Sequence, residues 1–486
     1  MNRPSFQPAP HQLAGLIAGP LLAWLVIVLF NPADLGPEGQ MTAAIAVLMA
    51  VWWATEAVPV AVTAFLPLIL FPVFGVAPVG ETAPHYANPT IYLFLGGFVI
   101  ALAIESSGLH RRVALLVFKI FGVNGRSLVG GFMVAAALIS MWISNTSTAL
   151  MLLPIVMSLI LVVRETMDSL SAKAQQDFET AMLLGLAYGA TLGGMTTLVG
   201  TPPNAFMAGF MQSNYGVEID FARWMLVGIP LAVIMLPACW LVLTRLLFKV
   251  DFKASPAARR HVRDLTSDLG RMTQAEIRTG ILFVLLVAGW LLRKPIVDLT
   301  GAAELTDASV AMMAAVAAFM VPAGSRPGAL INWEDTRRLP WGVLILFGGG
   351  LALAGAMSGS GLTSWIGQQL APLGTFHVAL LVIAATALVI FLTELTSNLA
   401  TTATFLPVMA ALAVETGNDP LLFVVPVTLA ASCAFMLPVA TPPNAVVFSS
   451  GYLSIPRMVR AGFILNVIGI AVLSLIALFV APEVFG

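Results

Sequence analysis

The sequence predicts an all-α polytopic membrane protein built from two inverted repeats, with about eleven transmembrane helices and two re-entrant hairpins. Three observations predict it. Of 486 residues, 59% are hydrophobic and only 10% charged, where soluble domains carry about 25%. Two polar motifs each occur twice inside apolar stretches, at matching places in the two halves. The Lys and Arg residues segregate strongly between alternate connections.

Composition sets the limits first. Mean hydropathy is +0.95, so nearly the whole chain is membrane domain. A net charge of -1 gives no electrostatic footprint for nucleic acid. Cys239 and Cys433 sit in apolar runs, which predicts neither a structural disulfide nor a metal cluster. His11, His85, His110, His261 and His377 are scattered without metal-ligand spacing. The apolar run at 13–30 follows a single arginine, Arg3, and lacks a small-residue cleavage site, so it reads as an uncleaved first span.

Further apolar segments run near 41–58, 60–74, 89–109, 127–163, 180–212, 225–247, 279–292, 307–323, 341–361, 376–415, 421–450 and 462–481. Segment 127–163 carries Ser144-Asn145-Thr146 in its middle, which leaves two arms of about 16 residues, short of the roughly 20 a full span needs. The expected shape is a hairpin with a polar tip at mid-depth, its first arm ending near Ile143 and its second starting just after Thr146. Segment 376–415 repeats the form around Ser397-Asn398-Leu399. The motif Thr-Pro-Pro-Asn-Ala, at Thr201–Ala205 and Thr441–Ala445, interrupts two more segments, because proline ends or opens a helix.

The halves align without gaps over two blocks. Phe94–Leu109 and Phe347–Leu362 match at eight of sixteen positions with an offset of 253, and the Ser-Asn motifs share that offset. One unit runs from about 40 to 247, the other from about 275 to 482. Threading the spans puts twenty Lys and Arg on one side and only Arg223, Arg293 and Lys294 on the other. This positive-inside bias predicts an internal N-terminus, an external C-terminus and hairpins entering from opposite faces. The basic stretch Lys249 to Arg278 reads as a cytoplasmic connector.

Broken helices explain what the motifs can do. A helix end at mid-membrane leaves free carbonyls or free N–H groups, and no water is there to meet them. Carbonyl ends suit a small hard cation, and N-terminal ends suit an anion. Gly200 and Ala440 are expected to end one half-helix, Thr201 and Thr441 to cap the next, and Pro202 and Pro442 to open it. Neither motif holds Lys or Arg, so an anion bound here depends on dipoles, neutral donors and co-bound cations. Plain interhelical hydrogen bonding is the alternative for one copy, but two copies at breaks in inverted repeats favour a ligand site.

At these residues the chain resembles the divalent anion/sodium symporter family of dicarboxylate, citrate and sulfate transporters, over essentially its whole length. The resemblance implies an elevator-type homodimer in lipid, in the bacterial cytoplasmic (inner) membrane. It implies scaffold helices at 1–126 and 279–375, and a transport domain at 127–247 and 376–486, with the connector at 248–278 between the repeats. It implies two sodium sites: Ser140, Ser144, Asn145 and Gly200 in one, and Thr393, Thr396, Asn398 and Ala440 in the other. Ser140 and Thr393 are repeat mates at the offset of 253. A di- or tricarboxylate substrate would meet Ser144, Asn145, Thr146, Thr201, Ser397, Asn398, Leu399, Thr441 and Pro442. Leu399 stands where many members carry Thr or Val, which removes a hydroxyl there.

The expected function is sodium-coupled import of a C4-dicarboxylate such as succinate, malate or fumarate. Alternatives are a sodium-independent exchanger, or the same fold carrying citrate or sulfate. An intramembrane enzyme with Ser144 or Ser397 as nucleophile lacks a base at comparable depth, and closed hairpins argue against a channel. Glu394 is a buried carboxylate, expected in a structural hydrogen bond or, alternatively, in proton coupling. Glu56 reads as interfacial, and Trp52, Trp53 and Trp341 as interface anchors.

Overall fold

The computed structural model describes residues 9–121, 124–166, 170–253, 269–302, 304–324 and 327–485, with 260 and 264. Arg3, Arg259, His261, Arg263 and Arg326, and much of the predicted connector, lie outside the described residues. Those residues are helical apart from turns and one isolated antiparallel bridge, Pro322 to Ala329. Among them, eight helices are long and apolar enough to cross a membrane, and five more are apolar but shorter. The protein is a multi-pass membrane protein.

Each predicted hairpin is a pair of helices meeting at a short break. The first joins Gly125–Ser140 to Asn145–Thr166, and the second joins Val378–Thr393 to Asn398–Glu415. The first arm ends at Ser140 rather than near Ile143, and the second starts at Asn145 rather than after Thr146. The second arm reaches 22 residues because Pro154 is carried inside it. Pro407, its repeat mate, is likewise carried inside Asn398–Glu415.

Both arms of the first hairpin pack against Ala172–Gly194, and both arms of the second against Leu421–Ser432. The halves interlock: Asn145–Thr166 packs on Pro442–Phe448, while Asn398–Glu415 packs on Pro202–Tyr215. The two following spans, Phe221–Leu241 and Ile455–Phe479, also touch each other. Elsewhere, Pro10–Leu29 packs on Pro37–Thr55, and Pro89–Ser107 packs on Asp307–Met320 and Gln274–Leu291.

The repeat is visible in backbone detail. Gly108 and Gly361, 253 apart, both adopt left-handed φ, at +82° and +77°. Each ends a long helix and turns the chain into a shorter helix, Leu109–Phe121 or Leu362–Leu370.

The ion pairs fall into two groups that share no acidic partner, one for each set of basic residues. Arg112 pairs with Glu276 (3.0 Å), Arg126 with Asp251 (3.2 Å), Arg457 with Asp177 (3.1 Å), and Arg338 with Glu105. The three basic residues expected on the opposite side, Arg223, Arg293 and Lys294, form the second group. Arg293 holds Glu218 (2.8 Å) and Asp307 (2.9 Å), Lys294 holds Asp220 (3.1 Å), and Arg223 lies 3.7 Å from Asp220.

One anchor assignment is corrected. Trp53 is 1% exposed, and its Nε1 donates to Val60 O (3.2 Å). The chain turns at Glu56, whose φ is +47°, and Val60–Thr63 packs back on Pro37–Thr55, covering the ring. Trp341 is exposed, as an anchor should be, and so is Glu56.

Close backbone approach joins the first hairpin to its neighbour. A Cβ added to Gly193 would sit 2.2 Å from the Ala137 carbonyl oxygen, and one on Gly189 2.6 Å from that of Met133. Small residues spaced by four let membrane helices approach this way. At Gly185 an added Cβ would meet side chains rather than backbone, Met133 at 3.0 Å and Val129 at 3.2 Å. Gly193→Ala is therefore expected to destabilise by about 1–3 kcal/mol, and Gly185→Ala by less. The thermal midpoint in detergent reads the difference.

Candidate functional site

The tips of the two hairpins are built alike. At the first break Ser140, fully buried, donates through Oγ to Asn145 Oδ1 at 2.6 Å. At the second, Thr393, also fully buried, donates through Oγ1 to Asn398 Oδ1 at 3.1 Å and to Ala431 O at 2.7 Å. In each copy a hydroxyl at the end of the first arm clasps the asparagine that starts the second. Ser144 caps its helix, accepting from Ser147 N at 3.2 Å. Thr396 Oγ1 lies 2.5 Å from Thr401 Oγ1. Ser144, Asn145, Thr146, Ser397 and Asn398 are partly exposed, so the tips remain reachable.

The neighbouring breaks begin earlier than the sequence implied. The half-helices end at Gly194 and Ser432, not at Gly200 and Ala440. The chain then crosses residues 195–200 and 433–440 in turns rather than continuous helix before Thr201 and Thr441. Side chains replace the lost helix contacts. Thr197 Oγ1 donates to Met141 O (2.6 Å) and accepts from Gly200 N (3.0 Å), tying the first break to the first tip. A Cβ on Gly194 would lie 2.2 Å from Asn145 Oδ1, and one on Gly200 would lie 2.4 Å from Gly194 O. Asn145, Gly194 and Gly200 thus converge.

Asn204 and Asn444 were not singled out beyond their place in the repeated motif, yet they organise both breaks. Asn204 donates through Nδ2 to the carbonyls of Gly194 (3.3 Å), Met195 (3.3 Å) and Thr197 (2.8 Å). Asn444 donates to those of Ala434 (3.0 Å) and Leu437 (3.0 Å). Both reach ten and seven residues back, both are fully buried, and both leave Oδ1 without a partner. Their duplication within Thr-Pro-Pro-Asn-Ala was the signal available in the sequence.

The prolines change the anion argument. Thr201 accepts no side-chain cap bond, whereas Thr441 Oγ1 accepts from Asn444 N at 3.3 Å. Pro202, Pro203, Pro442 and Pro443 have no N–H, and the first N–H of each helix is already used, since Asn204 N donates to Thr201 O at 3.2 Å. These helices can offer an anion a dipole and a threonine hydroxyl, but no first-turn N–H. First-turn N–H groups belong to the hairpin helices, at Asn145, Thr146, Asn398 and Leu399. Leu399 is 5% exposed and packed in the core, so its backbone, not its side chain, faces the tip chemistry.

Glu394 lies beside Thr393, 3% exposed. Its Oε1 accepts from Phe435 N (2.8 Å), Met436 N (2.9 Å) and Asn466 Nδ2 (2.8 Å). Its Oε2 accepts from Met436 N and Leu437 N, each at 3.1 Å. The expectation of a structural hydrogen bond holds, with a partner from the last span that the sequence did not indicate.

Two solved transporters share this fold. The Neisseria gonorrhoeae MtrF structure superposes with a TM-score of 0.58 over 96% of this chain and 95% of that one, at 12% identity. The Alcanivorax borkumensis YdaH transporter gives 0.54 over 82% and 87%, at 14% identity. Such identities speak to fold alone. In sequence, the chain is 41% identical to the sodium-dependent dicarboxylate transporter of Staphylococcus saprophyticus, over 98% of this chain and 92% of that protein. It is 40% identical to the Staphylococcus aureus transporter of the same name, with the same coverage. Residues 11–482 match the family described as the sodium:sulfate symporter transmembrane region, and the chain belongs to that family, the divalent anion/sodium symporters.

Proposed function

We propose that this protein couples sodium entry to the import of a C4-dicarboxylate, with succinate, malate and fumarate as the candidate substrates. The observation that carries the reading is the duplicated clasp, Ser140 to Asn145 and Thr393 to Asn398, in a chain 41% identical end to end to a sodium-dependent dicarboxylate transporter. Its family is one of transporters, which sets aside the serine-nucleophile reading.

The proposed first sodium site takes oxygen from Ser140, Ser144, Asn145 and Gly200, and the second from Thr393, Thr396, Asn398 and Ala440. Hydroxyls, amide oxygens and main-chain carbonyls are the hard donors such a cation prefers. Charge from the two ions, the N-terminal dipoles of four helices and the hairpin N–H groups then hold the substrate carboxylates. Ser144, Thr146, Thr201, Ser397, Thr441 and Pro442 border that region, and Leu399 contributes its backbone N–H. Cations bind first, because the dianion meets no basic side chain here.

The proposed carrier is a homodimer in the bacterial cytoplasmic membrane, N-terminus inside and C-terminus outside. Residues 1–126 and 279–375 form its scaffold. Residues 127–247 and 376–486 form a transport domain that moves as an elevator. The interlocking of each hairpin with the opposite broken helix supports grouping them as one body, and the two segregated sets of ion pairs support the inverted orientation.

Asn145→Ala or Asn398→Ala is expected to abolish both sodium-dependent substrate binding and uptake in proteoliposomes. Full uptake in either variant refutes the site. Titrating sodium against potassium at constant ionic strength is expected to give saturable sodium dependence, and sodium-independent exchange would sink the coupling. In thermal-shift screens with sodium present, C4-dicarboxylates are expected to stabilise more than citrate or sulfate. Leu399→Thr is expected to cost about 1–3 kcal/mol of stability, on the scale of shortening a buried aliphatic side chain, while substrate KM stays within about twofold. A large KM shift at unchanged thermal midpoint contradicts the burial argument.

A further inference from the structure

Glu394 makes the two halves chemically different. All of its contacts are donors pointing at its oxygens: three backbone N–H groups and the Asn466 amide. That set suits an acceptor-only, ionised carboxylate. Among the described residues no Lys or Arg forms an ion pair with it. The groups around it hold the second break loop from every side. Phe435 O accepts from Tyr188 OH at 2.6 Å, and a Cβ on Gly462 would lie 2.4 Å from Phe435 O.

The first half has the same loop and the same pressing glycine, but no charge. A Cβ on Gly228 would lie 2.5 Å from Thr196 O, and Gly228 and Gly462 are repeat mates at an offset of 234. By that offset the mate of Asn466 is Ala232, and by the hairpin offset of 253 the mate of Glu394 is Met141. The first loop is held by neutral groups: Thr197 Oγ1 on Met141 O at 2.6 Å, Trp224 Nε1 on Met195 O at 3.2 Å, and the Asn204 amide on the carbonyls of Gly194, Met195 and Thr197. The Glu–Asn pair exists as a pair in one copy only.

We infer that the two cation sites are electrically unequal: Glu394 positions the loop carrying the second site and gives that site a full negative charge the first lacks. Glu394 follows Thr393 directly, and its carboxylate binds the loop that leads to Ala440. A fixed charge in a low-dielectric surrounding raises the affinity of a nearby cation. The site at Thr393, Thr396, Asn398 and Ala440 therefore fills at lower sodium than the site at Ser140, Ser144, Asn145 and Gly200. The inference rests on the sodium sites proposed above.

The test is a sodium titration of purified protein without substrate, followed by thermal shift and tryptophan fluorescence, with potassium keeping ionic strength constant. Two steps are expected in the native protein. Asn145→Ala is expected to remove the weaker step and keep the tighter, and Asn398→Ala to do the reverse. Glu394→Gln is expected to raise the half-saturation of the tighter step by about tenfold or more, the scale of one unit charge about 10 Å away at an effective dielectric of about 20, with the weaker step moving less than twofold. A folded Glu394→Gln with an unshifted tighter step overturns the inference. So does a tighter step that survives Asn398→Ala, or a single step of equal sites in the native protein. These last two measurements decide the matter even where Glu394→Gln does not fold. If neither asparagine variant changes any sodium step, the sites themselves fail, and not merely their inequality.

Discussion

The constraint on which the rest depends is that a helix cannot stop in the middle of a bilayer unless protein atoms take over its open ends. This chain stops helices at Ser140, Gly194, Thr393 and Ser432 and restarts them at Asn145, Pro202, Asn398 and Pro442. Every interruption is bridged by short polar side chains. Serine and threonine hold the asparagines of the tips, and two further asparagines hold the carbonyls of the breaks. An unmet buried amide or hydroxyl costs about 1–3 kcal/mol, so the bridging groups are necessary before any ligand is considered. The binding proposed above would use oxygen atoms that the fold had to place anyway.

Much of this was legible in the sequence because it is written twice. Ser-Asn and Thr-Pro-Pro-Asn-Ala recur in apolar surroundings, and the offset of 253 relates the tips, their supporting hydroxyls and the left-handed glycines 108 and 361. The helix ends were less legible. Proline marked where each second half-helix starts, but Gly194 and Ser432 end the first halves earlier, since Thr197 and Asn204 in one copy, and Glu394 and Asn444 in the other, support uncoiled chain that periodicity would extend as helix. Nor could composition reveal that Trp53 turns inward, since a tryptophan near a span's end suits an interface or a pocket equally well. The partner of Glu394 comes from Asn466, 72 residues away, a distance over which local pattern carries no information.

Duplication also shows where the halves have diverged. The clasp, the reach of Asn204 and Asn444 and the pressing glycines are kept in both copies. The charge at Glu394, the cap at Thr441 and the buried leucine at 399 belong to one. Retained features are those that close a broken helix, whereas the divergent ones alter the field and the shape beside it.

The contact of Gly189 and Gly193 with the backbone of Met133 and Ala137 has a mechanical meaning. A flap needs a crease and room to swing, and main chain seated on main chain offers neither. The first hairpin and Ala172–Gly194 are therefore packed as one plank. Leu421–Ser432 contains no glycine at all, so the second hairpin lies on side chains rather than on bare backbone.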